Sequence, residues 1–253
     1  MAIRMAAPSV PQIFSQARRA ARAQRLTRFA VSEPEAQFLR RHAAEDVLDR
    51  LDFMRLPPCE ADLHGDPAGL LADPLRQLGF TTNAIATLAE ELPYPGPQRA
   101  LIVSLFTLDT VNDLPGALIH LRKALAPGGL LIACLTGAGT LPTLRQVLLA
   151  ADGERPAARV HPQIDNQTAS ALLARAGFAR QVVDTHSLPV TYRSLDRLLA
   201  DLRAQGLTNV LADAPPPLTR AGLDQARAAF AERADASGRV SETFELLTLT
   251  AWG

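Results

Sequence analysis

The chain has 253 residues, with 26 Lys+Arg against 26 Asp+Glu, and is 47% hydrophobic and 21% charged. That length can bury one sizeable core, and the balanced charge gives no bulk attraction for nucleic acid or a membrane surface. Cys59 and Cys134 are far apart in apolar runs and read as buried thiols, not a disulfide or zinc framework, and no apolar run reaches the length of a membrane span.

Two helical patterns open the chain. Residues 4–28 are rich in Arg and Ala and free of acids, as transit peptides are. The pattern over 11–30 runs on into the chain, so it is read as a structural helix of a bacterial cytosolic protein. Its arginines (Arg18, Arg19, Arg22, Arg25 and Arg28) form either a solvated face or a docking surface for an acidic partner. The second helix starts at Ser32-Glu33-Pro34-Glu35, an N-cap with proline in the first turn, and runs to about residue 54. Its apolar positions Phe38, Leu39, Val47, Leu48 and Leu51 recur at helical spacing, and Pro57-Pro58 ends it.

Residues 59–63 are predicted as a short strand and 67–78 as a helix closed by Gly79. Leu92-Pro93-Tyr94-Pro95-Gly96-Pro97 breaks the chain. Residues 100–105 form a continuous apolar run, the pattern of a strand buried on both faces. Asn112-Asp113 can cap a helix over 114–126. Pro127-Gly128-Gly129 then turns the chain into a second buried strand over 130–135. The short connection makes these two strands parallel. Further helices are predicted at 141–151, 167–176, 194–205 and 219–234. A strand begins at 181–184 and continues in part to residue 190, and a closing strand covers 243–252.

From residue 92 on, this order and the segment Lys123-Ala124-Leu125-Ala126-Pro127-Gly128-Gly129-Leu130 resemble the C-terminal half of a class I S-adenosylmethionine-dependent methyltransferase. Longer blocks narrow the resemblance: Val111-Asn112-Asp113-Leu114-Pro115-Gly116-Ala117-Leu118, Arg175-Ala176-Gly177-Phe178, Asp201-Leu202-Arg203-Ala204-Gln205-Gly206 and Thr243-Phe244-Glu245-Leu246-Leu247. They are similar to the alphaproteobacterial and mitochondrial family of complex I assembly factor 5, itself related to the malonyl-carrier-protein methyltransferase of biotin synthesis (BioC). The resemblance implies an α/β Rossmann-like fold of the class I methyltransferase type, its sheet mostly parallel with an antiparallel last strand. It implies N-terminal helices over 1–56 and an α/β domain over 57–253, with a helical lid at about 191–235. It also implies S-adenosylmethionine as cofactor, a protein partner such as a respiratory complex I subunit, and a cytoplasmic location.

The chain departs from the family at Ala61-Asp62-Leu63-His64-Gly65-Asp66-Pro67-Ala68-Gly69. The family's first strand ends in Asp-Leu-Gly-x-x-x-Gly. Asp62-Leu63 match, while Gly65 and Gly69 are displaced. The interval from Asp62 to Leu92 is about 20 residues too short for the usual second and third strands, so the sheet is expected to lack one or two of them. The cofactor-binding candidates are Asp62, Gly65, Gly69 and Leu108. No ribose-binding acid stands out: Asp73 lies too early, and Glu90 or Glu91 is a poor substitute. Asp62 has two readings, lining a cofactor pocket or capping the helix that begins near Pro67.

Asp109, Thr110 and Asn112 follow the strand at 100–105, at the sheet edge where open α/β folds place ligands. Asp109 is the catalytic candidate, as a base or a substrate-orienting acid, with a plain loop role equally open. His64, His120, His161 and His186 show no metal-ligand spacing, and no metal is expected. The resulting expectation is a methyltransferase-like protein that does not bind S-adenosylmethionine and serves as a non-catalytic or cofactor-independent assembly and binding protein. The alternatives are an active methyltransferase or arginine-modifying enzyme with a rearranged loop, and a pseudo-enzyme subunit pairing with an intact methyltransferase. The functional surface is expected near Asp62, Leu108, Asp109, Thr136 and Gly137, under residues 190–211, with Asp201 and Arg203 as contact charges.

Overall fold

The computed structural model describes residues 10–85 and 93–253. Glu90 and Glu91 lie outside the described residues. Helix α1 (Gln16–Ser32) starts at Ser15, whose hydroxyl accepts from the Arg18 amide, and buries one stripe, Arg22, Leu26 and Ala30. A 3-10 turn at Pro34–Gln37 leads into α2 (Phe38–Phe53). The expected cap at Ser32-Glu33 does not form: Ser32 ends α1 and its hydroxyl donates back to the Arg28 carbonyl. The buried stripe of α2 is Leu39, Arg40, Ala43, Ala44, Val47 and Leu51.

The rest is β1 (Glu60–His64), α3 (Ala72–Gln77), β2 (Thr81–Ile85), β3 (Arg99–Leu105), α4 (Leu114–Ala124), β4 (Leu125–Thr136), α5 (Pro142–Asp152), α6 (Asn166–Ala176), β5 (Arg180–Tyr192), α7 (Leu195–Ala204), α8 (Arg220–Ala231) and β6 (Val240–Trp252). These described strands form one six-stranded sheet of order β2-β1-β3-β4-β6-β5. β1 to β4 are parallel neighbours, and β6 inserts antiparallel between β4 and β5. This is the Rossmann-like arrangement expected from the sequence. The interval after β1 holds one short strand, β2, at the sheet edge.

The apolar run of β3 is buried because helices cover both faces of the sheet. Leu101, Val103 and Leu105 join the side that packs on α2, α5, α7 and α8. Ile102 joins Leu131 and Ala133 on the side covered by α4 and α6.

Several predicted elements change in length. The helix expected over 67–78 shrinks to Ala72–Gln77, because the Asp66 carboxylate collects the amides of Leu70, Leu71 and Ala72 and holds the preceding residues in a turn. β4 begins at Leu125 instead of residue 130: Arg99 pairs with Leu125 and Leu101 with Leu130, with the Pro127-Gly128-Gly129 turn bulging out between. A Cβ on Gly129 would stand 2.8 Å from the Arg99 carbonyl oxygen, so that bulge needs glycine. β5 extends to Tyr192, paired residue by residue with β6. It tolerates Pro189 because it is an edge strand.

Helix α5 shows a device that local sequence does not reveal. Leu141 precedes it with φ +61 and supplies no side-chain cap. The buried carboxylate of Glu242, on β6, accepts from the Thr143 and Leu144 amides instead. Burial pushes that carboxyl above the usual carboxylate range, against these bonds.

Candidate functional site

The chain runs from β1 outward to β2, then returns to place β3 on the other side of β1. This reversal of strand order opens a crevice at the carboxyl ends of β1 and β3, the general ligand position of open α/β sheets. Here the crevice is filled by the chain's own groups. Arg40 of α2 is buried, and its Nε donates to the Gly65 carbonyl at 3.1 Å. A second guanidinium nitrogen donates to the Gln205 carbonyl, just beyond lid helix α7. The same guanidinium lies 5.4 Å from the ring centroid of Phe106, the residue after β3. Burial lowers the Arg40 pKa to about 10, with Asp109 acting in the opposite sense.

Of the two displaced glycines, both in the left-handed region, Gly65 is the more tightly constrained. Its φ is +80, and a Cβ there would meet the Leu105 carbonyl oxygen at 2.1 Å. The end of β1 is therefore pressed onto the end of β3. Gly69 (φ +70) turns the chain beside Asp73, whose carboxylate oxygen lies 2.9 Å from the Cβ position.

Asp62 is committed elsewhere. It is buried, and its carboxylate accepts from Arg99 Nε (2.8 Å), Asn83 Nδ2 (3.0 Å) and the Tyr94 hydroxyl (3.0 Å). It does not cap the following helix; Asp66 does that work. The Tyr94 hydroxyl also lies 2.8 Å from His64 Nε2. Since that hydroxyl donates to Asp62, it accepts the proton of His64 Nε2, which leaves His64 Nδ1 buried without a protein partner. Burial drives the His64 pKa down to about 4 and raises that of Tyr94. Leu108 is packed in the apolar cluster with α4. An adenosyl cofactor needs an approachable backbone turn and an unengaged acid. Arg40 stands between the two strand ends and Asp62 is triply bonded, so among the described residues the turn and this acid are both engaged by the chain itself.

A second hollow lies beside this crevice. It is a cavity of about 190 Å3 between the β3 and β4 ends and the lid, lined by Asp109, Thr136 and His161 and by leucines of α5 and α7. Asp109 Oδ1 accepts from both the amide and the hydroxyl of Thr136, each at 2.6 Å, while its buried Oδ2 has no protein partner. Burial raises the Asp109 pKa against those bonds. Asp109 does not start α4; Asp113 caps that helix by accepting from the Gly116 amide. Arg22, buried on α1, bonds the Thr110 hydroxyl (2.8 Å) and the Thr208 carbonyl (3.1 Å), tying helix and lid over the cavity; burial lowers its pKa to about 10. His161 Nε2 accepts from the Val210 amide at 2.8 Å, and burial lowers its pKa to about 4, so the ring is neutral with its proton on Nδ1.

The sequence-predicted site residues thus divide. Asp109 and Thr136 meet at the cavity, whereas Asp62, Gly65 and Gly69 serve the closed crevice and Leu108 the core. Of the two lid charges, Arg203 lines the cavity and is exposed. Asp201 is buried and paired with Arg197 at 2.9 Å, so it is no surface contact. Sequence reading missed Arg40 and the inward role of Arg22. The signal was present in both cases: Arg40 falls in the stripe of Leu39, Ala43 and Val47, and Arg22 in that of Leu26 and Ala30.

The mostly parallel sheet, with β6 inserted antiparallel between β4 and β5 and helices on both faces, is the Rossmann-like arrangement of the class I methyltransferase type. No family model matches the sequence. A malonyl-[acyl-carrier protein] O-methyltransferase from Halorhodospira halophila is 30% identical over 235 residues, covering 90% of this chain and 68% of that protein. The mitochondrial arginine-hydroxylase NDUFAF5 of Rattus norvegicus is 33% identical over 177 residues, covering 68% of this chain and 51% of that protein. A malonyl-[acyl-carrier protein] O-methyltransferase from Xylella fastidiosa is 33% identical over 165 residues, covering 65% of this chain and 55% of that protein. The chain belongs to the class I methyltransferase family that contains these proteins, and it spans about half the length of the NDUFAF5 relatives it matches.

Proposed function

We propose that this chain is a non-catalytic binding protein built on a methyltransferase fold. The observation that carries this reading is Arg40. Its guanidinium bridges the Gly65 and Gln205 carbonyls under the Phe106 ring, in the crevice where the fold takes a cofactor. A ligand would have to expel a buried, doubly bonded cation, and Asp62 offers it no free oxygen. The bonds so lost to an adenosyl ligand are worth on the order of 1–3 kcal/mol each, and several together move a micromolar site to millimolar. The partner to try first is the one the family resemblance implies, a respiratory complex I subunit met in the bacterial cytoplasm and engaged on the lid side. No described helix is long and apolar enough to cross a membrane.

Isothermal titration with S-adenosylmethionine and S-adenosylhomocysteine tests the reading. The expected result is no saturable heat up to about 1 mM. A micromolar Kd for either compound overturns it. One observation favours a second reading, an active S-adenosylmethionine-dependent enzyme: relatives at 30% and 33% identity are named as a methyltransferase and an arginine-hydroxylase. A saturable titration moves the chain to that reading.

A further inference from the structure

We infer that the cavity under the lid is a binding site for a small monocarboxylate with an apolar body, about the size of one ring. The inference rests on the cavity alone and stands whether or not S-adenosylmethionine binds at the crevice.

Size and wall set the body of the ligand. A protein cavity of about 150 Å3 lined by apolar side chains takes benzene. The cavity here is about 190 Å3, which admits a single ring with one substituent. Leu144 and Leu148 of α5 and Leu199 and Leu202 of α7 supply an apolar wall.

Charge sets the head group. Arg22, Arg159 and Arg203 line the cavity. Arg203 is exposed, and its guanidinium makes no hydrogen bond or ion pair among the described residues. Asp196, an acid on the same helix, is held by Arg227. Arg22 is buried and bonds only neutral groups, the Thr110 hydroxyl and the Thr208 carbonyl. Of these three arginines, Arg159 alone has a carboxylate partner, Asp152. Asp109 is the acid of the lining, and its charge acts on Arg22 and Arg40 alike, so one carboxylate stands against two buried guanidiniums. It presents no oxygen to a ligand: Oδ1 accepts twice from Thr136, and Oδ2 is buried beneath the lining. Behind the wall, Arg145 bonds only the oxygens of Thr140, His161 and Gln163. The surplus charge is therefore positive. The same field, after burial, lowers the His161 pKa to about 4 through Arg22 and Arg145.

The remaining polar groups of the lining donate. The neutral His161 ring keeps its proton on Nδ1, because Nε2 accepts the Val210 amide. Gln163 Oε1 accepts from Arg145, which leaves its amide nitrogen to donate. A carboxylate only accepts, and its bonds to a guanidinium are charge-assisted. A second carboxylate on the same small ligand would be pressed against the leucines, so the site suits one charge.

The test is a titration of the full chain, by calorimetry and thermal shift, with benzoate, benzamide, benzylammonium and malonate. Benzoate is expected to saturate and to bind about tenfold tighter than its neutral counterpart benzamide, the size of one hydrogen bond to a charged group. Benzylammonium and malonate are expected to bind more weakly than benzoate. Arg203→Gln, at an exposed position, should fold as the parent chain does and weaken benzoate by about threefold or more while leaving benzamide unchanged. Leu148→Trp fills the cavity from a half-buried position and should abolish benzoate binding. If Leu148→Trp fails to fold, Arg203→Gln and the ligand series still decide. The inference is overturned if no probe saturates, if benzamide binds as tightly as benzoate, or if benzylammonium or malonate binds tightest. It is equally overturned if Arg203→Gln leaves benzoate affinity unchanged, or if folded Leu148→Trp binds benzoate as well as the parent chain.

Discussion

Replacing Arg40 by alanine removes the group that joins β1, β3 and the lid. Two charge-assisted hydrogen bonds go, to the Gly65 and Gln205 carbonyls, each worth about 1.5–3 kcal/mol. The cation–π contact with Phe106 adds about 1 kcal/mol or more in this buried setting. Against this stands the desolvation of the guanidinium, which lowers its pKa from 12.5 to about 10. At about 1.4 kcal/mol per pKa unit, relief of that burial returns about 3 kcal/mol. The net loss is therefore about 1–4 kcal/mol, or a fall in Tm of about 2–16 °C for a chain of this size. Urea unfolding and calorimetry measure the loss. Limited trypsin digestion reads the lid through cleavage at exposed Arg203, which should accelerate once Gln205 is unlatched. Arg40→Met keeps the packing of the stem without the charge and should recover part of the loss. A loss below about 0.5 kcal/mol with unchanged cleavage at Arg203 would refute the latch.

Gly65→Ala forces a Cβ into the Leu105 carbonyl at φ +80, and should cost at least about 3 kcal/mol in urea unfolding; a loss under 1 kcal/mol contradicts the close approach. Asp66→Ala should cost about 1–2 kcal/mol and speed hydrogen exchange at the Leu70, Leu71 and Ala72 amides, while leaving α4 untouched. His64 is held neutral with a pKa of about 4 against 6.5, so the unfolded chain takes up its proton first. Its contribution is fully present above pH 6.5 and is lost as pH falls toward 4, to a ceiling of about 3 kcal/mol. His64→Gln keeps a donor for Tyr94 and should flatten that part of the stability profile; an unchanged slope assigns the acid sensitivity elsewhere. Asp201→Lys should destabilise by about 1–3 kcal/mol, whereas Arg203→Glu should stay within about 0.5 kcal/mol, because only Asp201 is buried. Equal Tm changes for the two variants would contradict that division.

The amino-acid sequence by itself determined the architecture. The continuous apolar runs of β3 and β4 demand burial on both faces, and their short connection makes them parallel. Asp113, Ser194 and Thr219 start α4, α7 and α8 as local caps, and Gly177 ends α6 in the left-handed conformation, because caps and stops are contacts within a few residues. The shortened interval after Asp62 leaves room for a single edge strand, and β2 occupies it. Part of the site was legible in the same way: a loop acid at the end of a buried parallel strand faces the ligand edge, and Asp109 lines a cavity there.

Only the tertiary structure decided what fills the crevice. The partners of Arg40 at Gly65 and Gln205 lie 25 and 165 positions away in sequence, and those of Asp62 lie 21 to 37 positions away. Helical spacing can place a residue on the buried stripe, but it does not say whether that residue meets leucines or backbone carbonyls. Asp62 and Asp66 lie four positions apart. One is an ion-pair anchor and the other a helix cap, because β1 turns Asp62 toward Arg99 and the chain beyond it leaves Asp66 facing free amides. Glu242 capping α5 across 98 positions has the same cause. A polar side chain takes its role from the groups that the packed sheet and helices bring within hydrogen-bond reach, and that proximity exists only in the folded chain.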